Sequence, residues 1–246
     1  MARLYVAQAS DIQVGDQAAD EHLAADVVTI AMMPGHQLIG QRARRQQGLG
    51  RLYKPSAKKV VLVDVPPLQF AMIDGVIPAD QRVGDSPDFE EALSALYGIS
   101  YTLKFMFKKR AADPIDYPVM ALEALWQTES GIFNPDVRET WHYMAMIMQP
   151  DIVTPEVFEE GREQLRKKRP GPGIERLRLE PFHEGRAIQV MHLGPYATEM
   201  ATIARMDEFA QANGLTLHGR HHEIYLGDPR RADPEKLKTV LRHPVV

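Results

Sequence analysis

From residue 60 onward, apolar residues recur with two spacings, one typical of strands and one typical of helices. Alternating or β-branched runs predict strands over 60–65, 68–74, 117–128, 140–149, 177–181, 186–193, 215–226 and 237–241. Apolar residues three or four positions apart predict helices over 87–108, 154–168 and 200–212. Ser86 and Thr154 are suited to cap the first two helices, each with a proline directly after it.

The order of these elements predicts the fold class. A pattern of strand, strand, helix, strand, strand, helix is followed, after the break RPGPG at 169–173, by strand, strand, helix, strand, strand. This is an α+β pattern with a weak internal duplication of strand-helix-strand-strand units. We expect an antiparallel sheet with the helices on one face. The other face is then left for a ligand pocket.

The first part of the chain lacks this regularity. Residues 31–59 carry seven Lys or Arg side chains and no acid. A nucleic-acid arm is one interpretation, but no aromatic residues are interleaved with the charges, so a solvated linker is favoured. We therefore expect a poorly structured extension over 1–50 that is dispensable for folding, and one domain over 51–246.

Composition narrows the function classes. The chain has no cysteine, which excludes disulfides, thiolate metal sites and a cysteine nucleophile. Residues 60–246 carry 21 basic and 28 acidic side chains, which argues against direct nucleic-acid binding by the main domain. No apolar run reaches the roughly 20 residues of a membrane span, and no secretory signal is present. The sequence predicts a cytoplasmic protein and leaves its oligomeric state open.

Strand alternation groups the candidate functional residues. In the segment 141–148, three methionines share one face, which we expect to lie beneath the helices. Trp141 and Tyr143 then point away from the helices. In the segment 221–226, Ile224 is expected on the helix side, so Glu223 and Tyr225 join the two aromatic residues on the opposite face.

A carboxylate among aromatic rings is suited to planar or cationic ligands. Glu223 is therefore the candidate general acid or base, with a pKa raised by burial. The alternative is that the rings are half-exposed strand residues and that Glu223 pairs with Arg220, Arg230 or Arg231. Glu123 is a candidate second acid, although strict alternation places it opposite Trp126. Neighbouring histidines on a strand face opposite ways, so we expect no metal site and no cofactor.

Five blocks of sequence carry a resemblance to a known family. They are LYKPSAKKVVLVDVPPLQFAMIDG, FEEALSALYGISYTLKFMFKK, DYPVMALEALW, HLGPYATE and HHEIYLGDPRRADPEKLKTVLR. In this order, over residues 52–242, they resemble the GyrI-like small-molecule-binding domain family, and in particular its stand-alone bacterial and archaeal members.

The resemblance implies a duplicated fold with a central pocket for hydrophobic, often cationic, drug-like molecules. Glu223 falls where related effector-binding domains have a glutamate that meets the ligand. Some stand-alone members are hydrolases that open the cyclopropane of DNA-alkylating compounds, with pocket aromatics holding the ligand. The candidate ligand-binding residues are thus Trp126, Trp141, Tyr143, Tyr196, Tyr225 and Glu123. The leading expectation is a binding protein, the alternative is such a hydrolase, and a further alternative is a protein that inhibits a partner such as DNA gyrase.

Overall fold

The computed structural model describes residues 49–131, 137–228 and 232–246. Eight strands of this part of the chain form one antiparallel sheet, as the sequence predicts. They are β1 (Val61–Val65), β2 (Leu68–Ile77), β3 (Leu122–Thr128), β4 (Trp141–Met148), β5 (Arg178–Phe182), β6 (Gly185–Leu193), β7 (His221–Tyr225) and β8 (Lys238–Pro244).

The strand order is β1-β6-β8-β7-β3-β4-β2-β5. The strand β1 pairs with β6, and β5 pairs with β2. Each half of the chain therefore contributes its first strand to the edge of the other half. The strands β3 and β7 meet at the centre, where the two halves join. The α+β class and the antiparallel sheet are confirmed, and the internal duplication stays a prediction.

Four α-helices accompany the sheet. They are α1 (Pro87–Lys108), α2 (Pro155–Lys168), α3 (Pro172–Arg176) and α4 (Glu199–Ala212). The Ser86 side chain accepts a hydrogen bond from the backbone N–H of Phe89, and Thr154 does the same for Val157. Both predicted caps are present because each hydroxyl satisfies a backbone donor that the first helical turn leaves free.

The helices lie on one face of the sheet, which we call the helix face. α1 packs on β2 and β4, α4 packs on β6, and α2 and α3 pack on α1. The central strands β3 and β7 lie between the strand pair under α1 and the strand under α4. Side chains of β3 and β7 on the helix face are thus placed in the gap between the two main helices.

The opposite face, which we call the far face, is partly covered by the start of the described chain. Residues 49–53 form a helical turn, in which Leu52 and Tyr53 are buried against Met191, Ile224 and Val240. The domain boundary that we predict between residues 50 and 51 cuts through this turn. Residues 1–48, which make up most of the predicted extension, lie outside the described residues.

Several elements differ from the sequence-based expectation. The strand predicted over 117–128 begins only at Leu122, and the strand predicted over 68–74 continues to Ile77. The predicted strand over 215–226 is shorter, because Gly219 has a positive φ of 72° that ends the extended backbone before β7. The short helix α3 begins inside the predicted break, with Pro172 at its first turn. Among the described residues, none of the helices has the length and apolar character needed to cross a membrane.

Candidate functional site

Register places the candidate residues of β7 on the helix face. Glu223 lies opposite Ala124 of β3, and Tyr225 lies opposite Leu122. Side chains of directly opposed residues in an antiparallel pair share a face. Ala124 and Leu122 belong to the hydrophobic core beneath α1. Glu223 and Tyr225 therefore point into the gap between α1 and α4.

The faces of β4 and β7 are both the reverse of our expectation, since Ile224 lies on the far face and the candidate residues lie on the helix face. Trp141 and Tyr143 pack into the core beneath α1. Met144 and Met146 lie on the far face with Phe70. The alternation itself is as predicted, but the assignment of the methionines to the helix face is wrong. The physical reason is that both faces of β4 are largely buried, so hydrophobicity does not distinguish them.

Four aromatic side chains form a buried cluster on the helix face, which we call the aromatic cluster. Its members are Phe89, Trp126, Trp141 and Tyr143. The Trp126 ring lies 5.9 Å from that of Trp141 and 5.4 Å from that of Phe89, measured between ring centroids. The Phe89 and Tyr143 rings meet edge to face at 4.9 Å. Such pairs add stability beyond their buried area and fix ring orientation.

Tyr143 is held at the back of this cluster. Its hydroxyl donates a 2.5 Å hydrogen bond to Oδ2 of Asp88 in the first turn of α1. Arg176 donates to the other oxygen of the same carboxylate at 2.6 Å. Only 1% of Tyr143 is exposed. These contacts fix the Tyr143 ring, which packs against Trp126.

Trp126 connects the aromatic cluster to the candidate acid. Its indole Nε1 donates a 3.0 Å hydrogen bond to the hydroxyl oxygen of Tyr225. The Tyr225 hydroxyl in turn hydrogen-bonds the Glu223 carboxyl, which lowers the pKa of Glu223. Burial is the larger effect, and it raises the pKa of Glu223 to about 7. Glu223 is therefore partly protonated and partly ionised at neutral pH.

A second acid, which our sequence analysis missed, lies beside Glu223. Glu199, the first residue of α4, is 3% exposed. Burial and the neighbouring Glu223 charge raise the pKa of Glu199 well above its usual range, while the Thr239 side chain lowers it. We call Glu199 and Glu223 the acid pair. The signal in the sequence was the acid directly after the turn at 194–198, where the next helix begins.

Two further tyrosines border the acid pair. The Tyr196 ring lies 5.8 Å from the Tyr225 ring in an edge-to-face contact. Burial raises the pKa of Tyr196, and the nearby charges of Glu223 and Glu199 raise it further. Tyr97, on α1, is close enough to add to this effect. The site therefore spans the gap from α1 to the start of α4.

Glu123 takes no part in this arrangement. It lies on the far face, as strict alternation predicts, opposite Ile224 of β7. Its Oε1 accepts a 2.5 Å hydrogen bond from the Tyr53 hydroxyl, and its Oε2 lies 3.0 Å from Nε2 of His222. The sheet thus separates Glu123 from Trp126, and its inclusion among the ligand-binding residues stays a prediction that this geometry does not favour.

Glu123 belongs instead to a buried network on the far face. His222 reaches Glu184 through Nδ1 at 3.0 Å, and Arg242 donates to the other oxygen of Glu184 at 3.0 Å. These carboxylates raise the pKa of His222 to about 9, and His222 with Arg242 lowers that of Glu184 to about 2. We call Tyr53, Glu123, Glu184, His222 and Arg242 the far-face network. Its opposite charges satisfy one another.

The two neighbouring histidines of β7 do not share a face of the sheet. His221 and His222 point to opposite faces, because β7 pairs them with Trp126 and Leu125 of β3 respectively. Burial lowers the pKa of His221 well below its usual range, so His221 is neutral. No group of three or more potential ligands within the described ranges is arranged to hold a metal ion.

Comparisons with known proteins agree with this architecture. The family model of the GyrI-like small molecule binding domain matches residues 58–246. An uncharacterized conserved protein from Listeria innocua is 38% identical, with a TM-score of 0.73, and the match covers 82% of this chain and 98% of that chain. A hydrolase from Listeria innocua is 35% identical, with a TM-score of 0.68 and the same coverage of both chains. No curated protein sequence matches the chain. The matched range takes in the whole sheet and every helix of the site, and the chain therefore belongs to the GyrI-like small molecule binding domain family.

Proposed function

We propose that this chain is a binding protein for hydrophobic small molecules that carry one positive charge. The ligand lies in the gap between α1 and α4, against Trp126, Tyr196 and Tyr225. Glu223 supplies the counter-charge. The observation that carries this proposal is a buried carboxyl, among aromatic rings, whose pKa of about 7 leaves it partly ionised at neutral pH.

The electrostatics of the site favour a cation. Among the described residues, the nearest basic nitrogen recorded for Glu223 is Nε2 of His221, at 3.7 Å. The pKa of His221 lies well below its usual range, so this ring does not neutralise the carboxylate. Arg230 and Arg231, which the sequence analysis names as alternative partners of Glu223, lie outside the described residues. Within the described part of the chain, Glu223 is a buried carboxylate beside an uncharged ring, and such a group is costly. A cationic ligand removes that cost when it binds.

The acid pair limits the ligand to a single charge. Two neighbouring buried carboxyls do not both ionise readily, because each raises the pKa of the other. At neutral pH the pair therefore retains at least one proton and carries at most about one negative charge. A ligand with one positive charge matches it, whereas a dication leaves one charge buried and unpaired.

The aromatic residues provide the apolar part of the proposed site. Ring faces attract cations, by roughly 0.5–2 kcal/mol for each ring contact. Tyr196 and Tyr225 are both only partly buried, so part of each residue remains accessible. Trp126 and Trp141 are more deeply buried, and Trp126 fixes the position of Tyr225 through its hydrogen bond.

Hydrolysis is the second candidate function, and one observation favours it. A relative that is 35% identical is described as a hydrolase. In the present chain, Glu223 with a pKa of about 7 is suited to act as a general acid or base at neutral pH. In the hydrolytic alternative, Glu223 takes a proton from a water molecule as that water attacks the strained ring of a cyclopropane-bearing compound. The ring bond breaks, and its electron pair passes to the activating carbonyl of the compound.

Glu223→Gln distinguishes the two functions. For a binding protein, affinity for a naphthylmethyl-trimethylammonium probe should fall at least tenfold, because the counter-charge is lost. For a hydrolase, turnover of a cyclopropane-bearing alkylating compound should collapse while its binding largely survives. Both tryptophans of the chain lie in the aromatic cluster, so tryptophan fluorescence reports binding.

The matched control is Glu208→Gln, which removes the same charge from an exposed position of α4. This variant should bind the probe and turn over the compound as the wild type does. Unchanged binding and unchanged turnover in Glu223→Gln would contradict both candidate functions.

The pH dependence of cation binding follows from the same carboxyl. Since burial raises the pKa of Glu223 to about 7, the carboxylate forms as pH rises through 7. Affinity for the trimethylammonium probe, whose charge is fixed, should increase about 10-fold to 30-fold between pH 5.5 and pH 8. Isothermal titration at several pH values measures this, and the dependence should be much weaker in Glu223→Gln. A flat wild-type profile would rule out Glu223 as the counter-charge.

A further inference from the structure

The hydrogen bond between Trp126 and Tyr225 has a fixed direction. Nε1 of Trp126 lies 3.0 Å from the Tyr225 hydroxyl oxygen, and an indole N–H only donates. Tyr225 is therefore the acceptor in this bond and keeps its own proton for a second partner. That partner is the Glu223 carboxyl, which hydrogen-bonds the Tyr225 side chain. Trp126 thus donates to Tyr225, and Tyr225 donates to the Glu223 carboxylate.

The surroundings of Glu223 make this donor important. The residues directly opposite it on β3 and β8 are Ala124 and Leu241, which are apolar and fully buried. Burial is the largest effect against the carboxylate, and the hydrogen bond from Tyr225 is the largest effect in its favour. The other ionisable groups recorded around Glu223 among the described residues are Glu199 and Tyr196 at the start of α4, His221 on its own strand and His222 across the sheet.

These other groups leave Tyr225 in control. Glu199 opposes the ionisation of Glu223, because two neighbouring carboxylates repel each other. His221 is neutral, and Tyr196 has a raised pKa and stays protonated. His222 favours the carboxylate from the far face, but it does so less than Tyr225 does.

We infer that Trp126 is a positioning residue for the counter-charge, because its N–H directs the Tyr225 proton to Glu223 and so favours the ionised carboxylate. This inference rests on the proposed binding function and concerns the control of that same site by pH. A hydroxyl that accepts a hydrogen bond is polarised and donates more strongly. Trp126 is suited to this role because only 4% of it is exposed and its ring packs between those of Phe89 and Trp141.

The ionisation of Glu223 in the ligand-free full chain tests this inference directly. Carbon-13 labelling of the glutamate carboxyls allows each to be titrated by NMR, and the Glu223 signal is the one lost in Glu223→Gln. Trp126→Phe keeps an aromatic ring and removes the N–H. In this variant the acid ionisation constant of Glu223 should fall about threefold to tenfold, as expected for part of one hydrogen bond.

A double-substitution cycle separates this role from packing. Tyr225→Phe removes the donor itself, so the ionisation constant should fall at least as far as in Trp126→Phe. Because Trp126 acts through Tyr225, adding Trp126→Phe to Tyr225→Phe should change the constant by less than about twofold. Trp141→Phe is the matched control. It replaces the other indole of the aromatic cluster and keeps the Trp126–Tyr225 bond, so the Glu223 titration should stay within about twofold of the wild type.

Binding of the naphthylmethyl-trimethylammonium probe gives a second measurement. In Trp126→Phe, affinity at pH 6 should be about threefold to tenfold below that of the wild type, because less carboxylate is present. At pH 9, where the carboxylate has formed in both proteins, the two affinities should agree within about twofold. If Trp126 served only as a packing surface for the ligand, affinity would fall by the same factor at both pH values.

The outcomes distinguish the inference from the proposed function. An unchanged Glu223 titration in Trp126→Phe, or an equal effect of this substitution with and without Tyr225, would overturn the inference and leave the proposed function intact. Failure of the wild type to bind the probe at millimolar concentration between pH 6 and pH 9 would contradict the proposed function, while the carboxyl titration still decides the role of Trp126. Should Trp126→Phe not fold, an unchanged titration in Tyr225→Phe would overturn the inference equally.

Discussion

Glu184→Gln should lower the free energy of unfolding by about 3–5 kcal/mol at pH 7. Glu184 is buried between His222 and Arg242, and it accepts hydrogen bonds of about 3.0 Å from both. Glutamine has nearly the same shape, but it leaves two buried cations with Glu123 as their one remaining counter-charge in the far-face network. Chemical denaturation measures the loss, and binding of the cationic probe in the absence of denaturant checks that the site survives.

The control for this prediction is Glu180→Gln on β5. Glu180 also pairs with an arginine, Arg178, at 3.1 Å, but 53% of its side chain is exposed. An exposed pair contributes little, so this substitution should change stability by less than about 1 kcal/mol. A loss below about 1 kcal/mol in Glu184→Gln would show that the far-face network does not stabilise the fold.

The far-face network also has a defined pH window. The pKa of Glu184 is lowered to about 2, so its contribution is present above its unfolded pKa and is lost as pH falls toward 2. The pKa of His222 is raised to about 9, so its contribution is present below its unfolded pKa and is lost as pH rises through 9. Both contributions are therefore fully present together only between the unfolded pKa of Glu184 and the unfolded pKa of His222, which is on the acidic side of pH 7.

The acid pair, unlike the far-face network, lowers the free energy of unfolding at neutral pH. The pKa of Glu223 is raised to about 7, so its contribution is present at acidic pH and is lost as pH rises through 7. One short strand therefore carries a stabilising histidine, His222, on the far face and a destabilising acid, Glu223, on the helix face. Retaining an unfavourable group in the core is typical of a functional site.

Much of the fold was predictable because its signals are local. The caps at Ser86 and Thr154 lie within one turn of the groups that they satisfy, so the sequence alone indicates both. The strand boundaries of β4 and β6 follow β-branched and alternating runs. The pairing of β1 with β6 joins residues more than 100 positions apart, and no local pattern specifies it.

The candidate site was predictable in its members and not in its orientation. Residue type and strand alternation select Glu223 and Tyr225, the family resemblance adds Trp126, and the structure brings the three together. Alternation gives two sets of side chains for each strand, but both faces of the central strands are buried here. Which set meets the helices depends on tertiary packing. Glu199 was missed because helical spacing indicates only the apolar positions, and an acid at the first position of a helix is usually an exposed group that favours the helix dipole.

Removal of the residues before 58 is the change with the second large expected effect on stability. A chain that begins at residue 58 should lose about 5 kcal/mol of stability or more, from the buried Leu52 and Tyr53 side chains and from their hydrogen bonds. Arg242 donates to the backbone oxygen of Leu52 at 2.8 Å, and Gln189 donates to that of Arg51 at 2.8 Å. Loss of these acceptors leaves buried donors unpaired.

A chain that begins at residue 49 is the matched comparison. It keeps the helical turn and all of these contacts, so it should unfold at the same denaturant concentration as the full chain. Tyr53→Phe refines the result, since it removes only the hydroxyl that donates to Glu123, and a loss of about 1–3 kcal/mol is expected. The family match begins at residue 58, so a chain shortened to that match would omit the turn. If such a chain were as stable as the full one, the turn over 49–53 would not be needed for the stability of the fold. If it unfolds, the folded unit of this protein begins before the residues that identify its family, because the far-face network needs acceptors that lie upstream of them.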